Sequence, residues 1–126
     1  MAAYKPVNSH AGCEGGSDAP RDQPCEGEAH IFDFVAALGV PLLPTHAWPP
    51  AKGMPAAAFF SAHGLKDPKL ADHLTEAAGA GVELLLTDGL LARLPKALAA
   101  SLRALPTVHE LPVKNDPKAL LVYPPP

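Results

Sequence analysis

This chain has little of what marks the common ligand classes. Its 10 basic residues are outnumbered by 13 acidic ones, for a net charge of −3. They form no cluster, so the electrostatic footprint of a nucleic-acid binder is missing. No apolar run approaches the roughly 18 residues that cross a bilayer, and no membrane association is expected. Residues 1–20 lack the basic start and apolar block of a secretory signal; with Met1 as the native start, a cytoplasmic location is expected. Only two cysteines occur, Cys13 and Cys25. Neither follows a strand-like run, where a nucleophile would sit. The glycines preceding the first helix, Gly12, Gly15, Gly16 and Gly27, do not form Gly-x-Gly-x-x-Gly. Glu26 and Glu28 beside that helix start would repel an anion, so nucleotide binding is not expected. No cofactor is expected.

The most informative stretch that is present is Gly81-Val82-Glu83-Leu84-Leu85-Leu86-Thr87-Asp88-Gly89. An apolar run follows a glycine helix stop and ends in Thr-Asp-Gly. A buried parallel strand reads this way as it leaves its carboxyl end. Functional groups in open α/β sheets gather at those ends.

The rest of the chain fits the same pattern. Ala2 to Val7 reads as a short strand, which Pro6 confines to an edge or an end. Asn8 to Glu28 is a long Gly/Ser/Asp/Pro loop whose composition cannot pack a core. Ile31, Phe34, Val35 and Leu38 recur at helical spacing over 29–38, and Gly39 stops that helix. Val40 to Leu43 reads as a strand closed by Pro44, and Ala56 to Phe60 as a second, buried one. Asp67-Pro68 would cap and open a helix that Gly79 and Gly81 end. A helical turn over 90–94 and a helix over 95–105 follow, then strands at 108–113 and 120–123. Apolar strands alternating with helices predict an α/β three-layer sandwich with a mainly parallel sheet. Residues 1–28 form an N-terminal strand and loop, and 29–126 the α/β body, within one domain.

From Ala29 to Leu94 the chain resembles the class I glutamine amidotransferase-like, flavodoxin-like domains. It is most similar to the beta-galactosidase trimerisation-type accessory domain of bacterial glycoside hydrolases. The resemblance rests on the turn Leu38-Gly39-Val40-Pro41, on the strand 56–60, on Asp67-Pro68-Lys69-Leu70 opening a helix, and on the 80–87 strand. It implies the scaffold and a non-catalytic accessory or assembly role. It does not carry over glutaminase chemistry, because the family's Gly-x-Cys-x-Gly elbow is replaced here by Leu86-Thr87-Asp88-Gly89.

Chemistry-bearing residues fall into three groups. Ser61, His63 and Asp88, at predicted strand ends, have the types of a nucleophile, base and orienter, but no Gly-x-Ser-x-Gly surrounds Ser61. The alternative is that Ser61 and Asp88 cap neighbouring helices and His63 is a surface residue. His10, Cys13, Cys25 and His30 pair as His-x-x-Cys and Cys-x-x-x-x-His, a donor set that suits tetrahedral zinc; a Cys13–Cys25 disulfide and two free thiols are the alternatives. His46, Trp48 and Thr87 are candidate ligand contacts. Trp48 either presents an aromatic face from a Pro-rich loop or folds back as a lid on the 29–38 helix. The leucines at 90, 91, 94, 98, 102 and 105 exceed one buried stripe, which suggests self-association. Two functions are therefore expected to compete. One is a non-catalytic accessory domain that pairs with itself or with a glycoside hydrolase domain and meets carbohydrate. The other is a small hydrolase, of glycosidase or esterase type, working from the strand ends.

Overall fold

The computed structural model describes residues 1–7, 28 and 31–113. The predicted strand at 120–123, the donor set His10, Cys13, Cys25 and His30, and the loop 8–27 lie outside the described residues. Five strands form one all-parallel sheet: β1 (Ala2–Tyr4), β2 (Leu43–Thr45), β3 (Ala57–Phe60), β4 (Glu83–Thr87) and β5 (Val108–Leu111). Their order is β2-β1-β3-β4-β5, the flavodoxin-like order of a doubly wound sheet.

Helices cover both faces. Alternate residues of each strand point to opposite sides, and the core divides accordingly. Ala3 and Phe59 pack with Ile31 and Val35 of α1 (Ile31–Ala37). Ala58, Phe60, Leu84 and Leu86 pack on the other side with Leu70 and Leu74 of α2 (Leu70–Gly79), Leu90 and Leu91 of α3 (Asp88–Arg93), and Leu102 of α4 (Lys96–Arg103). The central strand β3 is buried on both faces, which is why its sequence reads as an apolar run rather than an alternation.

Several elements differ from the sequence reading. Pro44 lies inside β2 instead of closing it. The strand is tolerant of it because β2 is an edge: its bonds to β1 run through Leu43 N and Thr45 O, and no N–H is asked of residue 44. β1, in turn, is not an edge but sits between β2 and β3, and it ends before Pro6. Asp67 does not cap α2. A 3-10 helix occupies Ala62–Lys66, Asp67 is its C-cap, and α2 starts only at Leu70. Trp48 is buried against Tyr4 and Phe60, on the face opposite α1, so it is no lid on that helix. The leucines from 90 to 105 are divided between α3, α4 and the residues just after each. Leu90, Leu91, Leu94 and Leu102 are buried and Leu98 is half-buried, leaving Leu105 exposed, so the apolar excess inferred from their number is largely inside.

Candidate functional site

A parallel sheet brings the residues that follow its strands to one edge. Here those are Lys5 after β1, His46 after β2, Ser61 and His63 after β3, and Thr87 with Asp88 at the end of β4. Glu28, which precedes α1 and is completely buried, ties together the ends of β3 and β4. Its Oε1 accepts from the backbone N–H of Ala62 at 2.7 Å and from the Thr87 hydroxyl at 2.9 Å. Its backbone carbonyl accepts from His63 Nε2 at 2.9 Å and from Ile31 N at 3.1 Å. A carbonyl can only accept, so His63 carries its proton on Nε2. Glu28 Oε2 is buried and has no hydrogen-bond partner among the described residues.

Burial pushes the Glu28 carboxyl above the ordinary glutamate value, and the charge of Asp88 adds to that; the Ala62 and Thr87 bonds and the charge of Arg93 oppose it without reversing it. The sequence places Glu28 only beside the start of the first helix, where it would repel an anion. The structure turns its side chain away from the α1 terminus and into the strand ends. No periodicity marks position 28, and only an acidic residue three places before an apolar helix hinted at it.

The expected strand-end residues do assemble here, each with a defined partner. Ser61 caps the 3-10 helix, its Oγ accepting from His63 N at 3.2 Å. The His63 ring is fully buried rather than at the surface, and it lies against Phe32. Thr87 caps α3 by accepting from Leu90 N at 3.2 Å while donating to Glu28. Asp88 Oδ1 accepts from Gly89 N at 2.8 Å and from Val113 N at 3.0 Å, which ties the end of β4 to the segment after β5.

A second polar cluster was not foreseen. Asp67 Oδ2 accepts from the Tyr4 hydroxyl at 2.7 Å and faces His73 Nδ1 at 2.6 Å, and its Oδ1 accepts from Lys69 N at 2.8 Å. Burial alone would raise the Asp67 carboxyl, but its bonds from Lys69, Tyr4 and His73 outweigh that and hold it below the ordinary aspartate value. Tyr4 is pushed upward by burial, and by its bond to Asp67 and the charge there. The only sequence signal was Asp67 itself, six residues before His73.

Beside these clusters a cavity of about 370 Å³ opens between α1 and the ends of β1 and β2, with Phe32, Leu42 and Pro44 as walls and Lys5, Asp33 and His46 as polar groups. Its size falls in the range of small-ligand pockets. Lys5 Nζ lies 5.3 Å from the Phe32 ring centre, and His46 Nδ1 is 2.8 Å from the Lys5 carbonyl oxygen. Of the three candidate ligand contacts, His46 lines this cavity, whereas Trp48 and Thr87 are buried. Among the described residues no group of three or more His, Cys, Asp or Glu could hold a metal ion. No helix among them is long and apolar enough to cross a membrane.

The fold and the strand-end geometry define an α/β domain with a five-stranded parallel sheet. No protein-family model, curated protein or solved structure matches the chain.

Proposed function

We propose that this chain is a non-catalytic accessory or assembly domain, of the flavodoxin-like kind attached to bacterial glycoside hydrolases, which pairs with itself or with such an enzyme. One observation carries the reading. Ser61 and His63, the side chains best placed to be nucleophile and base, are fully buried, and their bonds go to a helix cap and to the Glu28 backbone. A nucleophile and its base must reach a substrate atom, and these two hold the chain together instead. The cavity beside Phe32 and His46 is the surface on which a sugar or a partner side chain would rest.

A small hydrolase is the competing reading, and a separate observation favours it. Asp67 engages His73 through Nδ1, which is how a carboxylate orients a general base. The two readings separate in one experiment. The purified chain is assayed on chromogenic glycosides and esters beside Ser61→Ala, His63→Ala and His73→Ala, with light scattering of the same samples alone and with a glycoside hydrolase. The accessory reading expects no turnover above the substrate blank, a lower melting temperature for Ser61→Ala and His63→Ala, and a defined assembly. Saturable turnover that one of these variants abolishes without unfolding would establish the hydrolase.

A further inference from the structure

We propose that the cavity between α1 and the ends of β1 and β2 is a binding site for a free α-amino acid with an apolar side chain. This site goes beyond the accessory role and does not depend on it, because an assembly domain can carry a ligand site or lack one. Phe32, Ala36, Leu42 and Pro44 form its walls, and its volume is about 370 Å³. That is room for one small molecule with an apolar body. Three polar groups stand on the same cavity: the Lys5 ammonium, the Asp33 carboxylate and the His46 ring. Lys5 and Asp33 carry opposite charges, yet they do not pair with each other, and neither has an ion-pair partner among the described residues. One cation and one anion set on apolar walls are matched best by a ligand that carries both charges and no net charge. A monocarboxylate would leave Asp33 facing a like charge, an amine would do the same to Lys5, and a neutral sugar would leave both charges unmatched.

The sheet fixes these polar groups before any ligand arrives. Lys5 is clamped at the strand ends: its N–H donates to the Thr45 carbonyl at 2.9 Å, and its own carbonyl accepts from His46 Nδ1 at 2.8 Å. Because a carbonyl only accepts, the His46 proton lies on Nδ1. Its Nε2 has no partner among the described residues and is left as an acceptor. The Lys5 ammonium is held 5.3 Å from the Phe32 ring centre, a cation–π contact that positions the charge and leaves N–H groups for an anion. Phe32 is itself braced by Phe59, in edge contact with 5.7 Å between ring centres. The ligand carboxylate therefore meets Lys5, its ammonium meets Asp33 and His46 Nε2, and its side chain lies along Leu42 and Pro44. Groups fixed in advance lose little freedom when the ligand binds.

The test is titration of the full chain at pH 7 with L-leucine and L-phenylalanine, followed by amide NMR shifts and calorimetry. N-acetyl-L-phenylalanine, phenethylamine and galactose are titrated beside them. Saturable shifts of the Lys5, Asp33 and His46 amides are expected with both amino acids. The acetylated compound and the amine each lack one charge and are expected to bind more weakly, and galactose is expected to leave these amides unmoved. Lys5→Gln is expected to weaken amino-acid binding about tenfold. Asp33→Asn is expected to weaken it about threefold, because Asp33 is the more exposed of the two. No saturable shift with either amino acid, shifts centred away from this cavity, or undiminished binding by both variants overturns the site. Binding of N-acetyl-L-phenylalanine, phenethylamine or galactose as tight as that of the amino acids overturns the zwitterion assignment. Should a variant not fold, the ligand series on the wild-type chain decides alone. Light scattering of the same samples reads self-association separately, so failure of the ligand site and failure of the accessory role give different results.

Discussion

Asp67 shows how one side chain can be worth more than its position suggests. It is exposed over only 8% of its side chain and receives bonds from Tyr4, Lys69 and His73. Asp67→Asn keeps the shape but removes the charge those donors face, and Asn must turn its NH₂ toward one of them. A loss of about 1–3 kcal/mol is expected, the cost of leaving a buried partner unmatched, read from urea unfolding at pH 7. Tyr4→Phe removes one bond and leaves the other two, so a smaller loss of about 1 kcal/mol is expected from the same measurement. At this scale the sequence was only partly legible. Ser61, Thr87 and Asp88 could be placed because each lies at or just past the end of an apolar strand. Glu28 and His73 could not, because what they do depends on partners 34 or 59 residues away for the first and, for the second, on an aspartate that lies before its helix begins. Spacing within an element says nothing of contacts between elements.

The elements themselves were read well where period and punctuation agree. Gly81 is the clearest case. It ends α2 with φ +79°, a left-handed backbone that glycine adopts freely, and a Cβ added there would meet nothing within 4 Å. Gly81→Ala is therefore expected to cost about 1–2 kcal/mol purely as backbone strain, visible as a lower melting temperature with no change in the near-ultraviolet circular dichroism of the core aromatics. The elements misread were those where local chemistry and tertiary position compete. Pro44 looks like a strand terminator, yet an edge strand leaves its position without a required donor. Asp67-Pro68 looks like a helix start, yet the 3-10 helix before it takes Asp67 as its end. Leu74 supports the opposite lesson: it lies one turn after Leu70 in a helix the sequence marks at both ends, and it is fully buried. Leu74→Ala is expected to cost about 2–5 kcal/mol by transfer and cavity terms together, measured by chemical denaturation.

For the molecule as a whole, Glu28 and Asp67 pull the stability in opposite directions with pH. Glu28 is raised above its ordinary value of 4.5. Between that value and the raised one, the folded state holds the extra proton, so stability falls as pH rises. Asp67 is lowered below its ordinary value of 3.8. Its contribution is complete above that value and is lost as pH falls through the lowered one, where the unfolded state binds more protons. Stability is therefore expected to peak at about pH 4, between the two ordinary values, and to decline on both sides. Melting temperatures of the wild-type chain and Glu28→Gln across pH 3 to 8 check this, with the decline above pH 5 expected to vanish in the variant.

The place of β1 in the sheet also has a consequence for how the chain is made. β1 is synthesised before both of the strands it is seated between, with Ala2 opposite Leu43 on one side and Ala58 on the other. Neither neighbour exists when β1 leaves the ribosome. β1 must wait as an unpaired strand until Phe60 has emerged, and it then has to enter a slot already bounded on both sides or help to form it. Such long-range parallel pairing is slow to close. The nascent chain is thus most open to wrong partners during the interval between making β1 and making β3.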